Sequence, residues 1–174
     1  MKKIFVITGS PRKGGNSDLL ADALIKGAIS VGHNVTKYDA PFKNIGACTA
    51  CNKCFSNGNA CVQSEDFSEL ASIMLESDIV VFATLLYWFS FSAQLKCVID
   101  KLHCFSCAGK ISTVKGGVLL AAAASPVAAH YDALSMMYDS VLGFLKWKDL
   151  GRLFVGGVAE IGDIAKTDAL GASL

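Results

Sequence analysis

Apolar and polar positions along the chain alternate between short strand-like runs and stretches with helical spacing. Ile4 to Ile7 is a continuous β-branched and aromatic run, as expected of a strand buried on both faces. Ser17 is positioned to cap a helix whose apolar stripe is Leu20, Leu24, Ala28 and Val31, and Gly32 stops it. Asn34 to Asp39 alternates apolar and polar, which suits an edge strand. Residues 40–65 have no periodicity and are rich in Gly, Asn and Ser, and so long a loop in a compact domain points to function. Phe67, Leu70, Ala71, Met74 and Leu75 predict a helix, Ile79 to Ala83 a buried strand, and Leu95, Val98, Ile99 and Leu102 another helix. Val118 to Ala124 predicts a strand, Leu134 to Leu145 a helix and Leu153 to Val155 a last strand. The tail at 161–174 is either one further helix or irregular chain.

This strict alternation predicts an α/β fold, a doubly wound five-stranded parallel sheet with helices on both faces. An amphipathic second strand at the edge fits the order 2-1-3-4-5. No repeat, linker or low-complexity tract divides residues 1–174, so a single domain is expected.

Composition narrows the functional classes. The chain is 52% hydrophobic and 18% charged, as in a domain with a well-filled core. Sixteen basic against fifteen acidic residues leave a net charge of +1, and no run of Lys or Arg exceeds two, so nucleic acid is not an expected partner. No apolar stretch reaches the roughly 18 residues of a membrane helix, and the run at residues 4–7 is too short for a secretory signal. The expectation is a cytoplasmic protein with no membrane partner.

The first strand runs straight into Thr8-Gly9-Ser10-Pro11-Arg12-Lys13-Gly14-Gly15-Asn16-Ser17 and then into a helix. Ligands of doubly wound sheets sit at the C-terminal strand ends, where backbone N–H groups and a helix N-terminus can face a phosphate. Small hydroxyls at Ser10 and Ser17 and the guanidinium of Arg12 suit such an anion. The loop fits neither G-x4-G-K-[ST] nor G-x-G-x-x-G, which weakens both common nucleotide readings.

GSPRKGGNS after the first strand, paired with ATLLYWFSFSAQLKCVIDKL at residues 83–102, resembles the signature of the NADPH-dependent FMN reductase family within the flavodoxin-like fold. The resemblance spans essentially the whole chain. It implies an FMN-binding domain in which Ser10, Arg12, Asn16 and Ser17 hold the phosphate. Thr84, Leu85, Leu86, Tyr87 and Trp88 would pass along the ring edge, and Ala124 and Ser125 would reach its other side. Leu85 stands where the family usually has proline, so the backbone turn there is less rigid and gains an N–H. Tyr87, Trp88, Phe89 and Phe91 read as a flavin platform or subunit contact ahead of core packing. The resemblance further implies NAD(P)H as electron donor, a flavin, quinone or similar small molecule as acceptor, and a homodimer or tetramer.

Seven cysteines are many for one reducing-compartment domain, and four form C-x2-C-x2-C-x6-C at Cys48, Cys51, Cys54 and Cys61. The first spacings match the run that wraps iron–sulfur clusters in bacterial ferredoxins. In the resembled family a subset called iron–sulfur flavoproteins carries a 4Fe–4S cluster on such a motif. A 4Fe–4S cluster and reduced thiols with structural or redox roles stand as competing readings, with zinc behind both. Cys104 and Cys107 form a second C-x2-C, read as partly buried thiols, and Cys97 as packing. His33, His103 and His130 are isolated in sequence, Asp100 reads as a cap or ion-pair partner, and no acid–base set stands out. No protein group is therefore assigned a catalytic role, which is compatible with chemistry borne by the flavin itself. Two readings remain beside the reductase: an electron carrier of the iron–sulfur flavoprotein or flavodoxin type, and a flavin–thiol redox sensor.

Overall fold

The computed structural model describes residues 1–109 and 113–171. Its central sheet has five parallel strands: β1 (Lys3–Thr8), β2 (Asn34–Asp39), β3 (Ile79–Leu85), β4 (Gly116–Ala122) and β5 (Lys148–Val155). Their order is β2-β1-β3-β4-β5, as the alternation predicts. The helices are α1 (Asn16–Ser30), α2 (Glu65–Leu75), α3 (Ala93–Lys101), α4 (His103–Cys107) and α5 (Asp132–Leu145).

The apolar runs form the three middle strands because only there are both faces covered. One face packs Phe5, Ile7, Val80, Phe82, Leu119 and Ala121 under α2, α3 and α5. The other packs Val6, Val81, Ala83 and Leu120 under α1 and the C-terminal segment. β2 keeps its polar alternation because it lies at an edge.

Three expectations need correction. α1 begins at Asn16 with Gly15 as its N-cap, so Ser17 lies inside the first turn and does not cap it. β5 starts five residues before Leu153, since Lys148 and Asp149 lie at the sheet's other edge, where polar side chains are solvated. The tail makes two short 3-10 turns, Asp163–Lys166 and Asp168–Gly171, with residues 172–174 outside the described set.

The order reverses between β1 and β3: the chain moves from β1 to β2 on one side, then returns to β3 on the other. Such a switch point leaves a crevice at the C-terminal strand ends, where the loops after β1 and β3 diverge.

Candidate functional site

The loop after β1 is shaped by its own short bonds. Gly9 N–H donates to the Ala83 carbonyl at 2.8 Å, fastening the loop to β3. A Cβ on Gly9 would come within 2.5 Å of Ser92 Oγ and 2.7 Å of Leu95 Cβ, so only glycine lets the loop after β1 pass this close to the start of α3. Ser10 Oγ donates to the Arg12 carbonyl at 3.0 Å and accepts from Arg12 N–H at 3.2 Å, closing a tight turn. Gly14 adopts φ +65° and donates to Asp18 Oδ2, which brings the chain into α1. Arg12 is exposed and enters none of the ion pairs among the described residues. In the first turn of α1 the N–H groups have no intrahelical acceptor. There the Ser17 hydroxyl is fully buried and without a hydrogen-bond partner.

Asn16 departs from its expected use. Its amide donates to the Val158 and Glu160 carbonyls at 3.2 and 2.8 Å, and its oxygen accepts from Gly162 and Ile164 N–H at 3.2 Å each. With all four bonds made inside the protein, the side chain ties the C-terminal segment to the loop, and only the backbone N–H remains for an outside anion.

The loop after β3 is held to the first by Ser92, the N-cap of α3. Ser92 Oγ donates to the Gly9 carbonyl at 2.7 Å, and Ser92 N–H donates to Thr84 Oγ1 at 3.0 Å. β3 continues through Leu85, paired in register with Ala122, so the residue found in place of proline lengthens the ladder. Leu86 N–H then donates to the Ala122 carbonyl.

Tyr87 and Ser90 exchange both backbone hydrogen bonds across a two-residue turn. Its central residues, Trp88 and Phe89, sit at φ +46° and +64°. This is a conformation that large L-residues avoid, and such strain gathers at ligand clamps. Trp88 is 92% exposed, and Tyr87 and Phe89 are exposed beside it, whereas Phe91 is core, edge-on to Phe82. The aromatic platform is thus three residues rather than four.

Beyond β4, Ser125 Oγ lies 2.8 Å from His130 Nδ1, and the His130 ring meets Phe89 edge-on at 5.2 Å. His130 is therefore not isolated; it links the β3 and β4 loops. Ser92 and His130 together join three loops at one end of the sheet. They bring Ser10, Arg12, Ser17, Thr84 to Trp88 and Ser125 to the same C-terminal edge.

The cysteine loop forms a second centre. Cys48, Cys51, Cys54 and Cys61 line one cavity with Phe67, Lys101, His103 and Cys104. The chain bends round it through left-handed backbone at Ala50, Asn52 and Phe55. All seven cysteines are free thiols. Among the described residues no group of three or more His, Cys, Asp or Glu converges on a metal-ion position.

The thiols differ sharply. Burial pushes Cys104 up to about 12, with the neighbouring thiols adding to it. Burial likewise raises Cys54, which hydrogen-bonds Cys107. The backbone N–H of Lys53 holds exposed Cys51 below its ordinary value. Cys107 Sγ also lies 2.9 Å from His103 Nε2. Of the second C-x2-C, Cys104 is buried and lines this cavity, whereas Cys107 is exposed and reaches the centre only through Cys54 and His103. No local pattern in the sequence signals that Cys104 joins this cavity, because the other thiols come from the distant loop at residues 48–61. Cys97 packs against the core as expected, and Asp100 pairs with Lys96 at 2.5 Å.

A five-stranded parallel sheet in the order 2-1-3-4-5, with its switch point between β1 and β3 and glycine-rich and aromatic loops gathered there, defines the class of doubly wound domains. Residues 2–159 match the model of the NADPH-dependent FMN reductase family, and the chain belongs to that family. It is 38% identical over 110 residues to an iron–sulfur flavoprotein of Archaeoglobus fulgidus, covering 63% of this chain and 48% of that protein. The chain spans about half the length of the curated relatives it matches. Its fold is shared with an NAD(P)H:quinone oxidoreductase from Methanothermobacter marburgensis, with a TM-score of 0.79 and 18% identity over 97% of this chain and 90% of that one. It is shared too with an FMN-dependent NADH-azoreductase from Bacillus anthracis in complex with FMN, with a TM-score of 0.72 and 12% identity over 98% and 95%.

Proposed function

We propose that residues 1–174 are one FMN-binding domain of an oxidoreductase that takes electrons from NAD(P)H and passes them to a flavin, quinone or similar small acceptor. The observation that carries this is the orphaned Ser17 hydroxyl in the first turn of α1, with Arg12 on the same loop in no ion pair among the described residues. A buried hydroxyl without a partner is costly, and a phosphate at this helix start would supply the missing acceptor. Ser10, Arg12, Ser17 and the Asn16 backbone N–H hold the phosphate in this reading. Thr84, Leu85 and Leu86 offer backbone groups to the ring edge, Tyr87 and Trp88 cover it, and Ser125 faces it from the β4 loop. Bound FMN supplies hydride acceptance and electron release, and the chain contributes anchoring, orientation and exclusion of water. Exposed Trp88 favours assembly as a homodimer or tetramer that covers it. No helix among the described residues is long and apolar enough to cross a membrane, and a cytoplasmic setting fits seven free thiols.

Anaerobic mixing with NADH or NADPH should bleach the visible flavin band without a partner protein, and a quinone or free flavin should restore it. Flavin that neither nucleotide reduces over minutes would remove the reductase reading in favour of a carrier.

A second reading adds a 4Fe–4S cluster on Cys48, Cys51, Cys54 and Cys61. It is favoured by the four thiols lining one cavity, as a single group held by all four would require. Retention of iron and acid-labile sulfide in protein made without oxygen tests it.

A further inference from the structure

Lys101 is 4% exposed, at the C-terminal end of α3, and its ammonium points into the cysteine cavity. Nζ lies 3.4 Å from Cys61 Sγ and 5.8 Å from the ring centroid of fully buried Phe67. None of the ion pairs among the described residues includes it, and no aspartate or glutamate lines this cavity. Lys53 on the same loop is exposed, where water screens it. A buried ammonium without a carboxylate is costly unless something anionic faces it. Here the groups able to become anionic are the thiols.

We infer that Lys101 is the counter-charge of the cysteine cavity, positioned to neutralise an anionic group held by the thiolates of Cys48, Cys51, Cys54 and Cys61. The identity of that group as an iron–sulfur cluster rests on the second reading above. A cubane core with four thiolates carries net negative charge, and one added electron deepens it, so a fixed cation beside Cys61 favours the reduced form and raises the potential. The cation–π contact with Phe67 orients the ammonium while leaving its N–H groups directed at sulfur. Lys101 thus acts through charge and position, and needs neither to ligate nor to transfer a proton.

The test compares the wild type with Lys101→Met, which keeps length and loses charge, and Lys101→Arg, which keeps charge. In metal-free reduced protein, the rate at Cys61 with anionic dithionitrobenzoate is divided by the rate with neutral dithiodipyridine. This quotient cancels changes in thiol ionisation and reports local potential. It should fall roughly three- to tenfold in Lys101→Met and recover in Lys101→Arg. In protein reconstituted with iron and sulfide, the cluster midpoint should move to more negative potential in Lys101→Met and return in Lys101→Arg. An unchanged quotient, or an unchanged midpoint in protein of equal iron content, overturns the inference. Wild type that retains no iron while the quotient still falls ends the cluster reading and leaves Lys101 as the cavity's counter-charge.

Discussion

Ser92 Oγ donates to the Gly9 carbonyl at 2.7 Å, and this bond joins the loop after β1 to the start of α3. The same oxygen caps α3 by accepting from Leu95 N–H at 3.4 Å. Ser92→Ala removes this hydroxyl at a fully buried site and leaves both the Gly9 carbonyl and the Leu95 N–H without their partner. A loss of about 1–3 kcal/mol in urea unfolding is expected. FMN affinity should fall as well, because the two loops lose their fixed spacing. Stability within a few tenths of wild type would mean that water replaces Ser92 at no cost.

Asn16 supplies the second prediction. Asn16→Ala deletes four hydrogen bonds and leaves the Gly162 and Ile164 N–H groups without their acceptor. The expected cost is about 2–4 kcal/mol. It should appear first as protease cleavage within residues 158–171, with the sheet still intact. Cleavage elsewhere would show that Asn16 does not hold the tail.

Arg12 supplies the guanidinium of the first loop. Charge-assisted bonds contribute about 1.5–3 kcal/mol, so Arg12→Ala should weaken FMN binding by roughly ten- to a hundredfold. Riboflavin, lacking phosphate, should bind the wild type poorly and be little affected by the substitution. Equal affinity for FMN and riboflavin would remove this loop as the phosphate site.

The sheet was legible because β1, β3 and β4 are continuous apolar runs separated by helical stripes, and that pattern admits few topologies. What escaped was set by contacts between distant segments. The use of Asn16 depends on a tail about 145 residues away, and no local pattern signals it. α4 is five residues of His, Cys, Phe and Ser, too short for a periodicity. Lys101 reads in sequence as an ordinary helix-end lysine, because its surroundings come from the loop around Cys61. The platform was half legible: the aromatics were conspicuous, but only the two-residue turn sends Phe91 inward and Trp88 outward.

The cysteines should separate by pH. Cys104, pushed up to about 12 by burial, stays protonated through neutral and mildly alkaline pH and should resist alkylation there. Cys51 is shifted the other way, so more of it is thiolate at neutral pH. In metal-free protein, iodoacetamide near neutrality should mark Cys51 first and Cys104 last, and raising the pH should narrow the gap. Peptide mass analysis reads the order, and early labelling of Cys104 in folded protein would contradict its buried placement.

Trp88 carries the last prediction. Its φ of +46° costs about 1–2 kcal/mol for a residue other than glycine, and at 92% exposure its ring gains little packing in return within one chain. A position that is strained yet unpacked is held for something outside the chain: a flavin, a nicotinamide or a second copy. Trp88→Asn tolerates left-handed backbone and should leave the flavin-free monomer as stable or up to ~1 kcal/mol more stable. The same substitution should slow reduction by NAD(P)H or weaken FMN binding. Denaturation at several protein concentrations separates the remaining case. If Trp88 lies at a subunit seam, the variant loses its advantage as concentration rises, because the wild type alone gains from association. A variant less stable than wild type even when dilute and flavin-free would show that Trp88 supports the fold, and the argument from strain to function would then fail.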